Sequence, residues 1–291
     1  MPNLSCRNDD KGEGQIKMNV GICIEHTESG MREKFHDAAA KGFAHCQLIS
    51  WALGLWTEEE AERIREYASE SGVAITAFWC GWAGPRIWNF TDGPETLGLV
   101  PAAYRFARMQ NLMDGADFAK RLGVKDVVSH MGFIPESPND PNYAGFVSAI
   151  RAVAGHLKGN GQNLLFETGQ ETPVTMLRCF EDVGTGNLYV NLDPANLILY
   201  GKANPVDALC VFGGYVRGVH AKDGLYPVNG RELGTEVKIG TGRVDFPALV
   251  RSLGELGYEG SLTIEREIEG EEQIRDILEA KEYLSGLIAA L

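Results

Sequence analysis

The sequence predicts a single closed (β/α)8, or TIM, barrel, and three observations predict it. Short β-prone runs alternate with helix-patterned segments eight times from Met18 onward, the layout of a parallel sheet with crossover helices. The length of 291 residues suits one barrel with modest insertions, since such barrels typically take ~250 residues. Four of the strand-like runs end on an ionisable side chain: Glu167, Asp193, His220 and Glu265. That is a poor recipe for a core but the expected pattern where strands deliver residues to one shared end. The rival, a doubly wound open sheet, expects a G-x-G-x-x-G turn after its first strand, and none follows Val20–Glu25.

The elements follow in order. Residues 1–17 are polar and charged, lack the apolar stretch of a secretory signal, and read as a flexible extension before a barrel domain at 18–291. Val20–Glu25 is the first strand and Met31–Lys41 the first helix, stopped at Gly42. His45–Ile49 is the second strand. Thr57 then opens a helix as its N-cap, with Glu60 placed to complete a capping box. Ala61, Ile64, Tyr67 and Ala68 make that helix's apolar stripe, and Gly72 ends it.

Ala74–Trp79 is the third strand, followed by an insertion, Cys80–Pro101, rich in Trp, Gly and Pro. A long helix at Ala102–Leu122 leads to the fourth strand, Asp126–His130. After a loop at Ile134–Pro141 come a helix at Tyr143–Leu157, the fifth strand Leu164–Glu167, and a helix at Pro173–Phe180 with Pro in its first turn. Leu188–Asp193 and Val216–His220 are strands six and seven, with a short helix near Pro205 between them. A Gly-rich run at Ile239–Arg243 precedes the helix Phe246–Leu256, and Ser261–Glu265 supplies the last strand. The final helix, Glu271–Leu291, places Ile274, Ile277, Leu278, Leu284, Leu287 and Ile288 on one face.

Composition narrows the partners. A net charge of −13 argues against a nucleic-acid backbone, which is bound by clustered Lys and Arg. No apolar run reaches the ~20 residues of a membrane span. The six cysteines (Cys6, Cys23, Cys46, Cys80, Cys179 and Cys210) contain no C-x-x-C pair, so free thiols in a reducing, cytoplasmic compartment are expected. The exposed ends of a barrel leave room for a homo-oligomer, though no motif specifies one.

Two glutamates, one aspartate and one imidazole form a mostly oxygen-donor set. It suits a single divalent cation, Mn²⁺ above all, with Mg²⁺, Co²⁺ or Zn²⁺ compatible. Three carboxylates gathered in one pocket repel strongly unless a cation lies between them. His130, at the end of strand four, should look into the same pocket. Trp79 and Trp82 offer aromatic faces to a sugar ring, as do Trp51 and Trp88. Asn196, Lys222 and Asp223 flank the ligand positions and are substrate-binding candidates. Gln47 can supply a hydrogen bond, Glu267 rivals Glu265 on the same strand face, and Arg86, Lys222 and Arg243 are the available phosphate-binding groups.

The motifs F-E-T-G-Q around Glu167, N-L-D-P-A-N around Asp193, H-A-K-D at His220 and Y-E-G-S-L-T-I-E ending on Glu265 resemble the xylose-isomerase-like superfamily of sugar and sugar-phosphate isomerases and epimerases. So does the stretch I-G-T-G-R-V-D-F-P-A-L before the last strand. The resemblance implies one divalent metal held by Glu167, Asp193, His220 and Glu265, and a small sugar, a ketose or relative, as substrate. In the ketose 3-epimerase branch it further implies that the two glutamates face opposite sides of the reacting carbon. A metal-bound carbonyl acidifies the adjacent C–H, so one carboxylate can remove a proton and the other return one. Glu167 and Glu265 are the expected acid/base pair. The nuclease branch carries extra histidines for a trinuclear zinc site. Here Asn196 stands three after Asp193, and no Asp-x-His follows at 227–232. Two other readings use the same parts: a dehydratase or lyase on a keto-sugar or keto-glycoside, and a non-catalytic sugar- or partner-binding barrel.

Overall fold

The computed structural model describes residues 18–291; the extension expected at 1–17, with Cys6, lies outside the described residues. Among the described residues ten strands form in chain order: β1 (Asn19–Glu25), β2 (His45–Ser50), β3 (Ala74–Cys80), β4 (Asp126–Ser129), β5 (Asn163–Glu167), β6 (Leu188–Leu192), β7 (Val216–Ala221), β8 (Asp223–Leu225), β9 (Thr235–Val237) and β10 (Ser261–Ile264). Strands β1 to β7 and β10 close into a barrel in sequence order, and their pairings are parallel. β8 and β9 form an antiparallel hairpin on top of it.

The helices are α1 (Met31–Ala40), α2 (Glu58–Ser71), α3 (Gly93–Thr96), α4 (Ala102–Arg121), α5 (Tyr143–Gly159), α6 (Pro173–Val183), α7 (Pro194–Leu199), α8 (Pro205–Phe212), α9 (Phe246–Glu255) and α10 (Glu271–Ala289). None is long and apolar enough to cross a membrane. Strands buried on both faces explain the near-continuous apolar runs: Leu164 and Phe166 of β5 join the layer against the helices, while Leu165 packs inside the barrel with Val128 and Trp79. Cys23, Cys46, Cys80 and Cys179 are free thiols.

Local signals hold with informative exceptions. Thr57 caps α2 by accepting from the Glu60 backbone N–H at 3.2 Å. The Glu60 carboxylate does not reach back to complete the box; it meets His26 at 3.3 Å and Arg63 instead, a tertiary partner outbidding a local one. Gly72 ends α2 at φ 72°, and Pro173 opens α6 behind the Thr172 cap. On α10 the expected stripe is narrower than the pattern: Leu284 is buried and Ile277, Leu287 and Ile288 pack partly, but Ile274 and Leu278 stay exposed.

The insertion after β3 is held by Arg108 of α4. Its buried guanidinium donates to the carbonyls of Gly98 and Pro85 at 2.7 Å each and of Ala83 at 3.3 Å. Gly98, at φ 64°, lies so close to Met131 that a Cβ would meet its carbonyl carbon at 2.0 Å. Leu99 N–H donates to Met131 O at 2.9 Å. Backbone thus packs on backbone beside the end of β4, and the insertion becomes one wall of the barrel mouth.

Candidate metal centre

Parallel pairing brings the strand ends level. Glu167 pairs with Asn191 and Thr263 with His220 in register, so Glu167, Asp193, His220 and Glu265 emerge together. One ligand-competent atom from each lies within 4.8 Å of the others. His220 Nδ1 is 3.2 Å from Glu167 Oε1 and 3.3 Å from Glu265 Oε2.

Each side chain is held differently. Glu167 Oε2 accepts from the Trp79 indole N–H, and Oε1 accepts from Asn196 Nδ2 at 3.3 Å with His130 Nε2 at 3.5 Å. Asp193 Oδ1 caps α7 by accepting from Asn196 N–H at 2.9 Å, and Pro194 takes the first helical turn. Its other oxygen, Oδ2, is buried and accepts no hydrogen bond. Lys222 Nζ, also buried, sits 3.2 Å from Glu265 Oε2, 2.9 Å from Glu267 Oε1 and 3.8 Å from Asp193 Oδ2.

Electrostatics divide the acids. Burial raises every carboxyl here, but for Glu167 the neighbouring His130 and His220 outweigh it and hold the group below its ordinary range. For Glu265, Lys222 and His220 do the same more strongly. Asp193 is pushed up to about 8: burial dominates, Lys222 opposes it, and Glu265 and Glu167 add to it. Burial works against charge on His220 and on Lys222, yet the surrounding carboxylates raise both well above their usual values. His130 is lowered, chiefly by burial.

The donor set fits a cation. Asp193 Oδ2 and His220 Nδ1 are buried without hydrogen-bond partners and face two further carboxylates. One divalent ion among them would satisfy both, offsetting the burial that chiefly raises Asp193 and the repulsion from Glu265 and Glu167 that adds to it.

Above the cluster opens a cavity of about 270 Å³, walled by Trp51, Trp79, Trp88, Leu199, Tyr200 and Leu233 and carrying His130, Asn196, Lys222, Glu265, Glu267 and Arg86 at its polar positions. Trp79, His130, Asn196 and Lys222, named from the sequence as substrate-binding candidates, all line this cavity. Trp82 and Asp223 do not touch the cavity. Trp82 is buried behind Trp51, at 5.1 Å between ring centroids, and backs that wall. The Asp223 carboxylate is consumed by the backbone N–H groups of Gly224, Gly240, Gly242 and Val244 at 2.8 to 3.1 Å. It organises the Gly-rich loop instead of meeting a substrate. Glu267, the rival ligand, stays largely exposed at the mouth and pairs with Lys222.

Leu199 and Tyr200 escaped the sequence reading. They sit three and four positions after Asn196 at the end of α7, on its face. The signal was present, since Asp193 and Pro194 form a helix start; the motif was read only for its ligand. Arg86, named as a phosphate group, lies 4.2 Å over the Trp51 ring at the rim.

Beside Tyr200, Glu171 is buried with Oε1 unpartnered, and burial pushes it from 4.5 up to about 8 despite Lys202. The folded chain therefore holds a proton there that the unfolded chain releases above 4.5. Stability should fall as pH rises from about 4.5 to about 8 and level off beyond. Glu171→Gln should remove that fall and melt several degrees higher than the parent at ~pH 9. Thermal melts across the range decide it; identical pH slopes in the two proteins would rule the effect out.

A family model described as the xylose isomerase-like TIM barrel matches residues 35–285, and the chain belongs to that family. A crystal structure of a xylose isomerase domain protein from Planctomyces limnophilus superposes with a TM-score of 0.88 at 34% identity, covering 94% of this chain and 100% of that one. A D-tagatose 3-epimerase-like protein gives a TM-score of 0.71 at 20% identity, over 94% and 98% of the two chains; at that identity it shares the fold. The Uncharacterized protein MJ1311 of Methanocaldococcus jannaschii is 28% identical over 184 residues, which is 60% of this chain and 59% of the relative's length.

Proposed function

We propose that the protein is a divalent-metal-dependent isomerase or epimerase that moves a proton next to the carbonyl of a ketose or related keto-sugar. The observation that carries this reading is the convergence of Glu167, Asp193, His220 and Glu265 within 4.8 Å beneath a tryptophan-walled cavity. The D-tagatose 3-epimerase-like protein among the similar structures supports the substrate class. Glu167, Asp193, His220 and Glu265 would hold the cation, with Mn²⁺ best matched to the donor set. When bound, such an ion polarises a substrate carbonyl and acidifies the neighbouring C–H.

The remaining chemistry falls to the side chains. Glu167 is ionised at neutral pH and held between the Trp79 and Asn196 donors, aimed into the cavity as a base. Glu265, in contact with Lys222, can draw a proton through that contact and return it to the sugar. Trp51, Trp79 and Trp88 present apolar faces to the C–H side of the ring.

Proton–deuterium exchange by NMR on ketoses and 3-keto sugars, with the metal-stripped and Mn²⁺-loaded protein, tests the proposal. Metal-dependent exchange with product of unchanged mass is expected. Loss of water or aglycone would move the assignment to elimination, and no exchange on any sugar would remove it. Trp79→Phe keeps the aromatic face but deletes the donor to Glu167. It should lower kcat about 10- to 100-fold, the worth of a hydrogen bond to a charged group, with little change in KM; an unaltered kcat would show that the indole only packs.

A further inference from the structure

The imidazole of His220 has a second nitrogen that the metal reading leaves unexplained. We infer that Gln47, held in turn by Asn191, is a positioning residue that decides which nitrogen of His220 faces the cation site. The inference rests on the metal-ligand role proposed above.

The geometry is a buried relay of polar groups one layer below the carboxylates. Gln47 Oε1 lies 2.9 Å from His220 Nε2, and Gln47 Nε2 donates to Asn191 Oδ1 at 3.0 Å. All three side chains are buried. An amide whose N–H is committed to Asn191 must turn its oxygen to the imidazole, and a carbonyl oxygen only accepts. In the neutral imidazole Nε2 therefore carries the hydrogen, and Nδ1 has its lone pair for a cation. Nδ1 is the nitrogen that faces Glu167 and Glu265. Cys23 Sγ, at 3.9 Å, is the other neighbour of Nε2, and a thiol is the weaker acceptor.

The barrel interior around Gln47 is lined by Ala77, Gly218 and Thr263 and widens into a polar cavity of about 470 Å³ toward the N-terminal face. The orientation of Gln47 depends on Asn191, and Asn191 depends on Gly218. A Cβ at position 218 would stand 2.2 Å from Asn191 Oδ1. Gly218, Asn191 and Gln47 form one chain of constraint ending on the imidazole. Ligating histidines generally need such a partner on the far nitrogen, and its loss typically costs about 10- to 100-fold in metal affinity.

The test is Mn²⁺ binding to the purified full chain, followed by the EPR signal of the free ion, with thermal melts of each metal-free variant. Gln47→Leu should bind Mn²⁺ about 10- to 100-fold more weakly with a metal-free Tm close to the parent's. Gln47→Glu should hold near-parental affinity. Its carboxylate can accept from Nε2–H and, once the Asn191 amide turns over to present the now unpartnered Nδ2 in place of Oδ1, from Asn191 as well. Gly218→Ala, which leaves Gln47 in place but displaces Asn191, should weaken binding in the same direction. Gln47→Met repeats the first arm if the leucine variant does not fold. Parental Mn²⁺ affinity in Gln47→Leu or Gln47→Met overturns the inference while leaving the function intact. So does a Gln47→Glu variant as weak as Gln47→Leu, since packing and not the acceptor would then matter. A parent protein that takes up no Mn²⁺ removes the proposed function and this inference together.

Discussion

Replacing Glu167 with Gln should lower turnover by roughly 10²- to 10⁴-fold, the contribution of a positioned general base, and leave the fold intact. The amide has the same size as the carboxylate, and its oxygen can still accept from Trp79 or Asn196. What it loses is the ability to take a proton. Glu265→Gln should be comparably severe, because it removes the partner that Lys222 holds ready. Exchange of the sugar's C–H proton for deuterium is the direct measure, since it reports proton abstraction even where net conversion is slow. Near-parental turnover in either variant would take that glutamate out of the mechanism. Exchange retained in Glu265→Gln but lost in Glu167→Gln would instead name Glu167 as the base and Glu265 as the group that returns the proton.

Asp193→Asn should weaken Mn²⁺ binding at least about 100-fold and make the metal-free protein more stable at ~pH 8. Asparagine keeps the cap on α7, because its side-chain oxygen can still accept from Asn196 N–H. It loses the negative donor at Oδ2, which is buried and unsatisfied. In the metal-free parent this carboxyl is pushed from 3.8 up to about 8 by burial, with Glu265 and Glu167 adding and Lys222 opposing. The folded chain therefore binds a proton that the unfolded chain has released, and stability falls as pH rises from about 3.8 to about 8. The asparagine variant should lack that part of the fall. In the parent, cation uptake expels this proton, so Asp193 alone should add up to about tenfold per pH unit to Mn²⁺ affinity below about 8. At 100 times its dissociation constant, Mn²⁺ should stabilise the parent by about 2.7 kcal/mol and the variant by little. Calorimetric titration across pH checks both; an equal affinity in parent and variant would exclude Asp193 as a ligand.

Much of the site was legible because a parallel barrel converts a local pattern into a global one. A strand-forming run that stops on Glu167, His220 or Glu265 needs only the strand count and direction to be placed at the shared rim. Trp79, His130, Asn196 and Lys222 follow from their places beside those strand ends, and they line the cavity or touch the carboxylates. Trp82 and Asp223 stood beside the same ends but turn elsewhere. An indole can back a wall as readily as form one, and four loop N–H groups claim the aspartate. The identity of neighbours contributed from other parts of the chain is not written in local spacing.

The order of elements, the closed barrel and the four strand-end donors were therefore determined by the sequence alone, because period, punctuation and residue type are local properties. Only the tertiary structure decided that Asp193 caps a helix with one oxygen and leaves the other bare. It alone decided that Lys222 lies buried among three acids, and that Gln47, 173 positions away, reaches His220. These outcomes depend on which groups compete for the same proton or lone pair once the chain has closed, and that competition exists only in three dimensions.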